Sequence, residues 1–513
     1  MLRVSSEDRP WWDTRAYAAV LIALAALPLL WPAIPPLGDL PGHLANYHIA
    51  EALPRSPELQ RYFSWQWHLI GNLGANIAMV PMGKIFGIEL GAKALTILIA
   101  MASAAGFLAI AKVAHGRLPA TAALSIPLIY NYPFHYGFLN YSFAMALTCL
   151  SYALWLRMLD VRAPVRRTVI FFLLASLVWL CHAIAWALLL LICASAEVYR
   201  LWLVRRTNPL IEVLRSVGRG LALLGPVLVM LANRGVASSI TGFLEWRLIA
   251  IGFATVLRDR WIVADLLSIV ALYLLLLAVM LRVGRLGFRA PVLLAAIGMG
   301  LVYVAAPQSM DGTAFLGVRI IAFVVAFAVL AIDTGRLSRR SASRLAMASL
   351  AFVLLRIGAN TVSFGLYDRA YAANLRALDV IPRGATVASF VPLDCPGTRS
   401  WMESRLNHLP AMVVVRRDGF VNSMWTLAGV HPLTVHYPAA GAYQFDPSES
   451  VTLSDCGSGA TPPLRQAIAH LPRAAFDFVW LLDTPPAAQP RPPWLVPVWR
   501  GPDAVLYRVA KQR

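Results

Sequence analysis

Residues 17–43 read YAAVLIALAALPLLWPAIPPLGDLPGH. The part from Tyr17 to Ile34 is an apolar run long enough to cross a hydrocarbon core of about 30 Å. Arg3, Arg9 and Arg15 precede it, and Gly38-Asp39-Leu40-Pro41-Gly42-His43 is the first polar stretch after it. A cleavable leader has a shorter apolar region, about 7–15 residues, and a small-x-small end. This run ends in Pro-Ala-Ile-Pro-Pro-Leu and reads as a retained helix whose amino end is cytoplasmic. An acid and a histidine four positions apart, just beyond a membrane crossing, sit where a membrane enzyme can work on a lipid-linked substrate.

Composition agrees with that placement. Of 513 residues, 59% are hydrophobic and 14% charged, and the mean hydropathy is +0.64, far from the usual mix of soluble domains. Five cysteines are too few for a disulfide scaffold, and Cys149, Cys181 and Cys193 fall in apolar runs as small core residues. The net charge of +19 raises nucleic acid as a partner, but its distribution argues otherwise. In residues 367–513 the 14 basic and 11 acidic residues nearly cancel, so the excess belongs to the apolar part.

Along the chain, His43 to Leu53 and Asn72 to Phe86 are mixed segments, the second interrupted by Pro81 and Lys84. Both read as amphipathic helices at the outer surface within a first outer loop, 38–90. Further crossings are expected at about Ala92–Val113, Ala120–Tyr132 and Ser142–Leu156. The unbroken run Val169–Ser195, with His182 in its middle, fits two short helices meeting at a membrane surface. More crossings follow at about Leu221–Ala232, Leu266–Leu281, Pro291–Ala306, Leu316–Ile332 and Leu345–Phe364. Arg157, Arg162, Arg166 and Arg167, the basic loop from Arg200 to Arg219, and the groups around Arg285 and Arg339 then all fall on the cytoplasmic side, as the positive-inside rule requires. The expected fold is a polytopic α-helical membrane domain, residues 1–366, of about eleven transmembrane helices. A small C-terminal soluble α/β domain, residues 367–513, is expected on the outer (periplasmic) side, with strand-like runs at Thr386–Val391, Ala411–Val415 and Phe476–Leu482. Cys395 and Cys456 are its only cysteines and, outside the cytoplasm, can form a disulfide.

Pro81-Met82-Gly83-Lys84-Ile85-Phe86-Gly87-Ile88-Glu89 is similar to an outer-loop helix that ends in a Phe-Gly-x-x-Glu turn. With Lys93, the span after it and Ala120–Asn140, it resembles the GT-C superfamily of membrane glycosyltransferases, which includes protein O-mannosyltransferases, aminoarabinose transferases and oligosaccharyltransferase catalytic subunits. Asp39 stands at the position of that family's first-loop acid. The resemblance implies transfer of a sugar from a polyprenyl-phosphate donor to an envelope acceptor at the periplasmic face of the bacterial inner membrane. In that reading Asp39 is the base, and His43, one turn away, shares either a metal or a substrate with it. His135, Asn140, His182, Arg319 and Arg356 are substrate-binding candidates, the arginines because a guanidinium pairs well with a lipid phosphate. The aromatic loop Asn131–Tyr141 contains His135 but no carboxylate, where family members carry a second acid, which leaves a divalent metal open.

Each candidate also has a structural reading. Asp39 can cap the helix that follows it; His135 can be an interfacial side chain, His182 a buried one with a satisfied hydrogen bond, and Arg319 a snorkelling residue. Two other functions are compatible with the sequence: a transporter or flippase of a lipid-linked intermediate, and a non-catalytic scaffold of the same fold. An enzyme requires Asp39, His43, His135 and His182 to converge on one outer cavity.

Overall fold

The computed structural model describes residues 9–511 except 160, 162, 206–208, 233–239, 244, 311–314, 396–399, 427–430 and 458–460. Arg3 and Arg162, used above for orientation, lie outside the described residues. Among the described residues seven helices are long and apolar enough to cross a membrane: Ile88–His115, Leu139–Arg157, Pro164–Cys181, Ala183–Val204, Pro209–Leu231, Ile262–Met280 and Arg339–Val380. Shorter apolar helices are Arg15–Leu24, Trp246–Thr255, Ala290–Ala305 and Leu316–Leu330. The chain is thus a polytopic helical membrane protein, and the expected count of eleven crossings is not confirmed, since the shorter helices include one of only ten residues, Trp246–Thr255.

Several departures have local causes. The run expected to cross at 120–132 is a 3-10 helix, Ala122–Ile129, buried at every residue. Prolines at 119, 127 and 133 interrupt the backbone hydrogen bonding that an α-helix needs. The run 169–195 divides at His182, which is extended (φ −165, ψ 124) and whose Nδ1 accepts the Ile184 N–H at 3.2 Å, capping Ala183–Val204. Helix Gly74–Phe86 has 13 residues, too few to span, and leaves Ile77, Val80, Ile85 and Phe86 exposed. The last long helix, Arg339–Leu375, runs well past the boundary expected at 366.

Beyond it, a six-stranded sheet is built on the parallel strands Phe478–Leu481, Thr386–Pro392 and Phe420–Val421. Antiparallel Ala504–Val509 and Leu495–Gly501 extend one edge, and Ser450–Val451 pairs with the end of Thr386–Pro392. The central strand is buried on both faces from Thr386 to Val391, which is why it reads as a near-continuous apolar run. Cys395 and Cys456 are disulfide-bonded and tie the loop after this strand to the loop after Ser450–Val451. The domain is fastened to the first loop by the ladder Phe63–Trp65 with Leu433–Val435.

Candidate functional site

Where the sheet domain meets the helical part there is a cavity of about 620 Å³, lined among others by Asp39, His135, Arg258, Arg405, His408, Asp446 and Glu449. It opens beyond the carboxyl ends of the parallel strands: Leu393 and Asp394 follow one of them and Asp483 another. Crevices at strand carboxyl ends are the usual ligand sites of open α/β sheets, and this volume suits a small-molecule headgroup.

Asp39 is placed by backbone. Its N–H donates to the Tyr136 carbonyl at 2.7 Å, and the Gly38 N–H donates to the His135 carbonyl at 3.0 Å, so the first loop and the aromatic loop are zipped together. Gly137 permits this approach. It has φ +96°, and a Cβ there would lie 2.7 Å from the Asp39 nitrogen. Asp39 precedes helix Leu40–Ala52 but its side chain makes no capping bond, so the carboxylate is left to the cavity. His408 Nε2 lies 3.6 Å from Asp39 Oδ1. Burial is the largest influence on this acid and lifts its pKa to about 7. Charge on His408 and Arg319 opposes the rise, and Asp446 and Glu403 reinforce it. A carboxylate so poised suits proton abstraction near neutral pH.

His135 also lines the cavity. Its Nδ1 accepts from Arg405 Nη2 at 2.8 Å, while Asp259 Oδ1 accepts from the same Nη2 at 2.6 Å. Burial, then Arg405 and Arg356, hold the His135 imidazole well below its ordinary pKa, which keeps it neutral. Arg405 adopts φ +56°, an uncommon conformation for a side-chain-bearing residue, and is fixed by the Pro36 carbonyl at 2.8 Å and the Tyr367 ring at 4.4 Å. The segment that carries it is threaded among the helices. Trp401 Nε1 donates to Asp265, Tyr367 to the Glu403 carbonyl and Tyr371 to the Arg405 carbonyl. Arg258 binds the Trp401 carbonyl at 2.7 Å and Glu403 at 3.1 Å.

The other sequence candidates do not line the cavity. His43 stands edge-on to Trp425 at 5.1 Å, and Trp425 in turn meets His408 edge-on at 4.7 Å. Burial lowers the His43 pKa to about 3, so it packs as a neutral ring behind the site. Asn140 clamps two helices, accepting from the Ala75 N–H at 2.6 Å and donating to the Asn72 carbonyl at 2.9 Å. His182 caps its helix and meets Tyr141 edge-on at 5.3 Å. The Arg319 guanidinium lies 3.5 Å from the Phe138 ring centroid. Arg356, expected to meet a lipid phosphate, instead donates to Asp265 Oδ1 at 2.7 Å and to the Leu257 carbonyl at 2.9 Å. A charge this deep in a bundle needs a partner, and the chain supplies its own.

Of the four residues expected to converge, Asp39 and His135 do, while His43 and His182 do not. Sequence reading missed the wall contributed by 400–408 and 446–449. Its cue is a polar cluster, Trp401-Met402-Glu403-Ser404-Arg405-Leu406-Asn407-His408, inside a domain otherwise made of short apolar strands. His408, Asp446 and Glu449 offer donor atoms all within 4.8 Å of one another.

Fold and cavity together define a polytopic helical membrane protein with a sheet domain seated over a buried acidic site. No family model matches the chain, and no curated protein does. The chain is similar to two crystal structures of ArnT from Cupriavidus metallidurans, one in the apo state and one bound to undecaprenyl phosphate. Both are 13% identical to it, with TM-scores of 0.48 and 0.46, and each pairing covers 96% of this chain and 97% of the other.

Proposed function

We propose that this chain is a GT-C-type glycosyltransferase of the bacterial inner membrane, moving a sugar from a polyprenyl-phosphate donor to an envelope acceptor at the periplasmic face. The observation that carries the reading is the uncapped Asp39 carboxylate, on a backbone that Gly38 and Asp39 each bond to the aromatic loop, at the junction of that loop, the first loop and the sheet domain. Asp39 takes the proton of the acceptor hydroxyl as its oxygen bonds to the anomeric carbon. The bond from that carbon to the phosphate oxygen breaks, and polyprenyl phosphate leaves with the negative charge. Arg258 and Arg405, the cavity's cations among the described residues, face that charge. The sheet domain supplies the opposite wall and contacts the acceptor.

The test is transfer from a polyprenyl-phosphate sugar by purified protein in lipid nanodiscs, comparing wild type with Asp39→Asn at equal folded abundance. Loss of product with donor binding kept supports Asp39 as base. Full activity removes it from the mechanism.

A further inference from the structure

The sheet domain has a second crevice, at the other end of its central strand. Strand Thr386–Pro392 runs from this crevice to the cavity, a distance of about 20 Å. The two ends differ in charge. Carboxylates outnumber guanidiniums around the cavity, whereas the crevice, of about 390 Å³, is lined by Arg383, Arg508 and Lys511 against Asp477. Clustered cations in a walled depression raise the local concentration of anions.

The bonding of these side chains decides how much of that charge is available. Asp477 Oδ2 accepts the Thr386 N–H at 3.1 Å and the Thr386 hydroxyl at 3.0 Å, which turns the carboxylate into the strand end. Its Oδ1 meets Lys511 Nζ at 2.8 Å, and the lysine is exposed. Exposed ion pairs are weak, so Lys511 can turn to a bound anion while Asp477 keeps both bonds from Thr386. Arg383 gives Nη2 to Asp418 and lies 3.8 Å from Glu58, yet most of its side chain stays exposed. Arg508 stands opposite Phe478 in the ladder, and its guanidinium has no hydrogen bond or ion pair among the described residues. The backbone around these groups is fixed before any ligand arrives: the Gly384 N–H donates to the Arg417 carbonyl at 2.8 Å, and the Val509 N–H to the Asp477 carbonyl at 2.9 Å. A preformed site loses less entropy on binding.

We propose that this crevice binds one phosphate group, free or as a monoester, with Arg508 and Lys511 as its main contacts and Arg383 at the rim. Three cations against one carboxylate leave two positive charges, which matches a phosphate carrying a charge of about −1.5 to −2 at neutral pH. The guanidinium fork of Arg508 can hold two of its oxygens at once. The volume exceeds what a phosphate fills and lies within the range of small-molecule sites, so Pro382, Phe478 and Val509 are left to face an organic group attached to it. The site is separate from Asp39 and stands whether or not sugar transfer is the reaction.

The full-length protein, in nanodiscs of phosphatidylcholine so that no anionic lipid competes, is titrated with inorganic phosphate and with methyl phosphate. Binding is read by calorimetry and as a rise in thermal midpoint. We expect one saturable site per chain, with an affinity lowered at least about tenfold in Arg508→Gln and in Lys511→Gln. Both positions are exposed, and the midpoint without ligand checks that both variants fold. Methyl phosphate bound as tightly as the free ion identifies the ligand as a monoester; binding of the free ion alone identifies it as inorganic phosphate. A wild type with no saturable phosphate binding overturns the site, and so does an affinity equal in wild type and both folded variants. Loss of transfer in Asp39→Asn with phosphate binding intact separates the two proposals.

Discussion

Two buried charge clusters stand at opposite ends of the helical part, and they are built on different plans. Near the end of Ala183–Val204, Glu197 accepts from Arg200 Nε at 2.9 Å, Ser216 Oγ at 2.9 Å, Arg219 Nη1 at 3.2 Å and Arg167 Nη2 at 3.3 Å. Arg167 in turn lies over Trp155 at 4.2 Å, and Arg200 also binds Glu212 at 2.5 Å. Arg200 follows Ala183 by 17 residues, about 26 Å along the axis, so this cluster lies at the far end of that helix from His182. At the cavity the balance is reversed: carboxylates outnumber guanidiniums, and buried oxygens of Asp259 and Glu449 and His135 Nε2 find no partner among the described residues. In the first cluster every charged group has an oppositely charged partner, although the buried Arg167 Nε finds no hydrogen-bond partner among the described residues. The other is completed by something bound to it, since unpaired buried polar groups are tolerated where function requires them.

The widest test of that contrast is to neutralise one acid in each cluster. Asp39→Asn should lower transfer about 10²–10⁴-fold, the range for losing a general base, measured as product formed per folded protein. Its thermal midpoint should stay level or rise, because burial disfavours the Asp39 charge by more than His408 and Arg319 favour it. Glu197→Gln should do the reverse. It removes the charge that Arg167, Arg200 and Arg219 share, leaving the buried Arg167 without its carboxylate, and should cost about 3–5 kcal/mol of stability, the usual penalty for breaking a buried ion pair, read as a lowered midpoint in detergent. Transfer per folded molecule should hold. If Asp39→Asn unfolds the protein while Glu197→Gln leaves it stable, the contrast between the clusters is wrong.

Arg356 sharpens the same comparison at a smaller scale. It is paired with Asp265 and 3% exposed. Arg356→Met should destabilise by a similar mechanism, and the double change with Asp265→Leu should recover part of the loss, because a well-packed apolar pair often replaces a buried ion pair at little cost. A lipid-phosphate role for Arg356 predicts the opposite: the double variant stays as defective in donor binding as the single one.

What could be read from the sequence follows from the range of the interactions. The break at His182, the short helix at 74–86 and the sheet-forming C-terminal part are set by local features: a polar residue in an apolar run, an amphipathic stripe, and short apolar segments between Pro and Gly turns. The partner of Arg356 and the cavity wall are set by distant ones. Asp265 lies 91 residues from Arg356, and His408 stands some 370 residues from Asp39, separations at which neither hydropathy nor spacing carries information. The 3-10 segment at Ala122–Ile129 is an intermediate case. Its prolines mark a break in α-helical bonding, but a buried non-helical run has the same hydropathy and composition as a crossing helix.

The smallest expected effect concerns how firmly the sheet domain covers the site. Asp418 ends helix Met412–Arg417 at φ +48° and gathers three partners: His48 Nε2 at 2.7 Å, Ser56 Oγ at 3.1 Å and Arg383 at 2.5 Å. Two of these belong to the first loop, so the carboxylate pins the domain to the helix that Asp39 begins. Burial alone would raise the Asp418 pKa, but hydrogen bonds and charge from His48, with Arg383 and Ser56, prevail and hold it below its ordinary value. A group whose folded pKa is depressed contributes stability at pH above its unfolded value, about 3.9, and that contribution is lost as pH falls through the folded pKa. Asn tolerates the left-handed conformation as Asp does, so Asp418→Asn removes the charge with little change in the backbone. It should lower stability by about 1 kcal/mol at neutral pH and flatten the fall in thermal midpoint below about pH 4. Transfer should drop only slightly, mainly through weaker acceptor binding. A loss as large as that of Asp39→Asn would mean that the domain's seating, and not the carboxylate beneath it, limits the reaction.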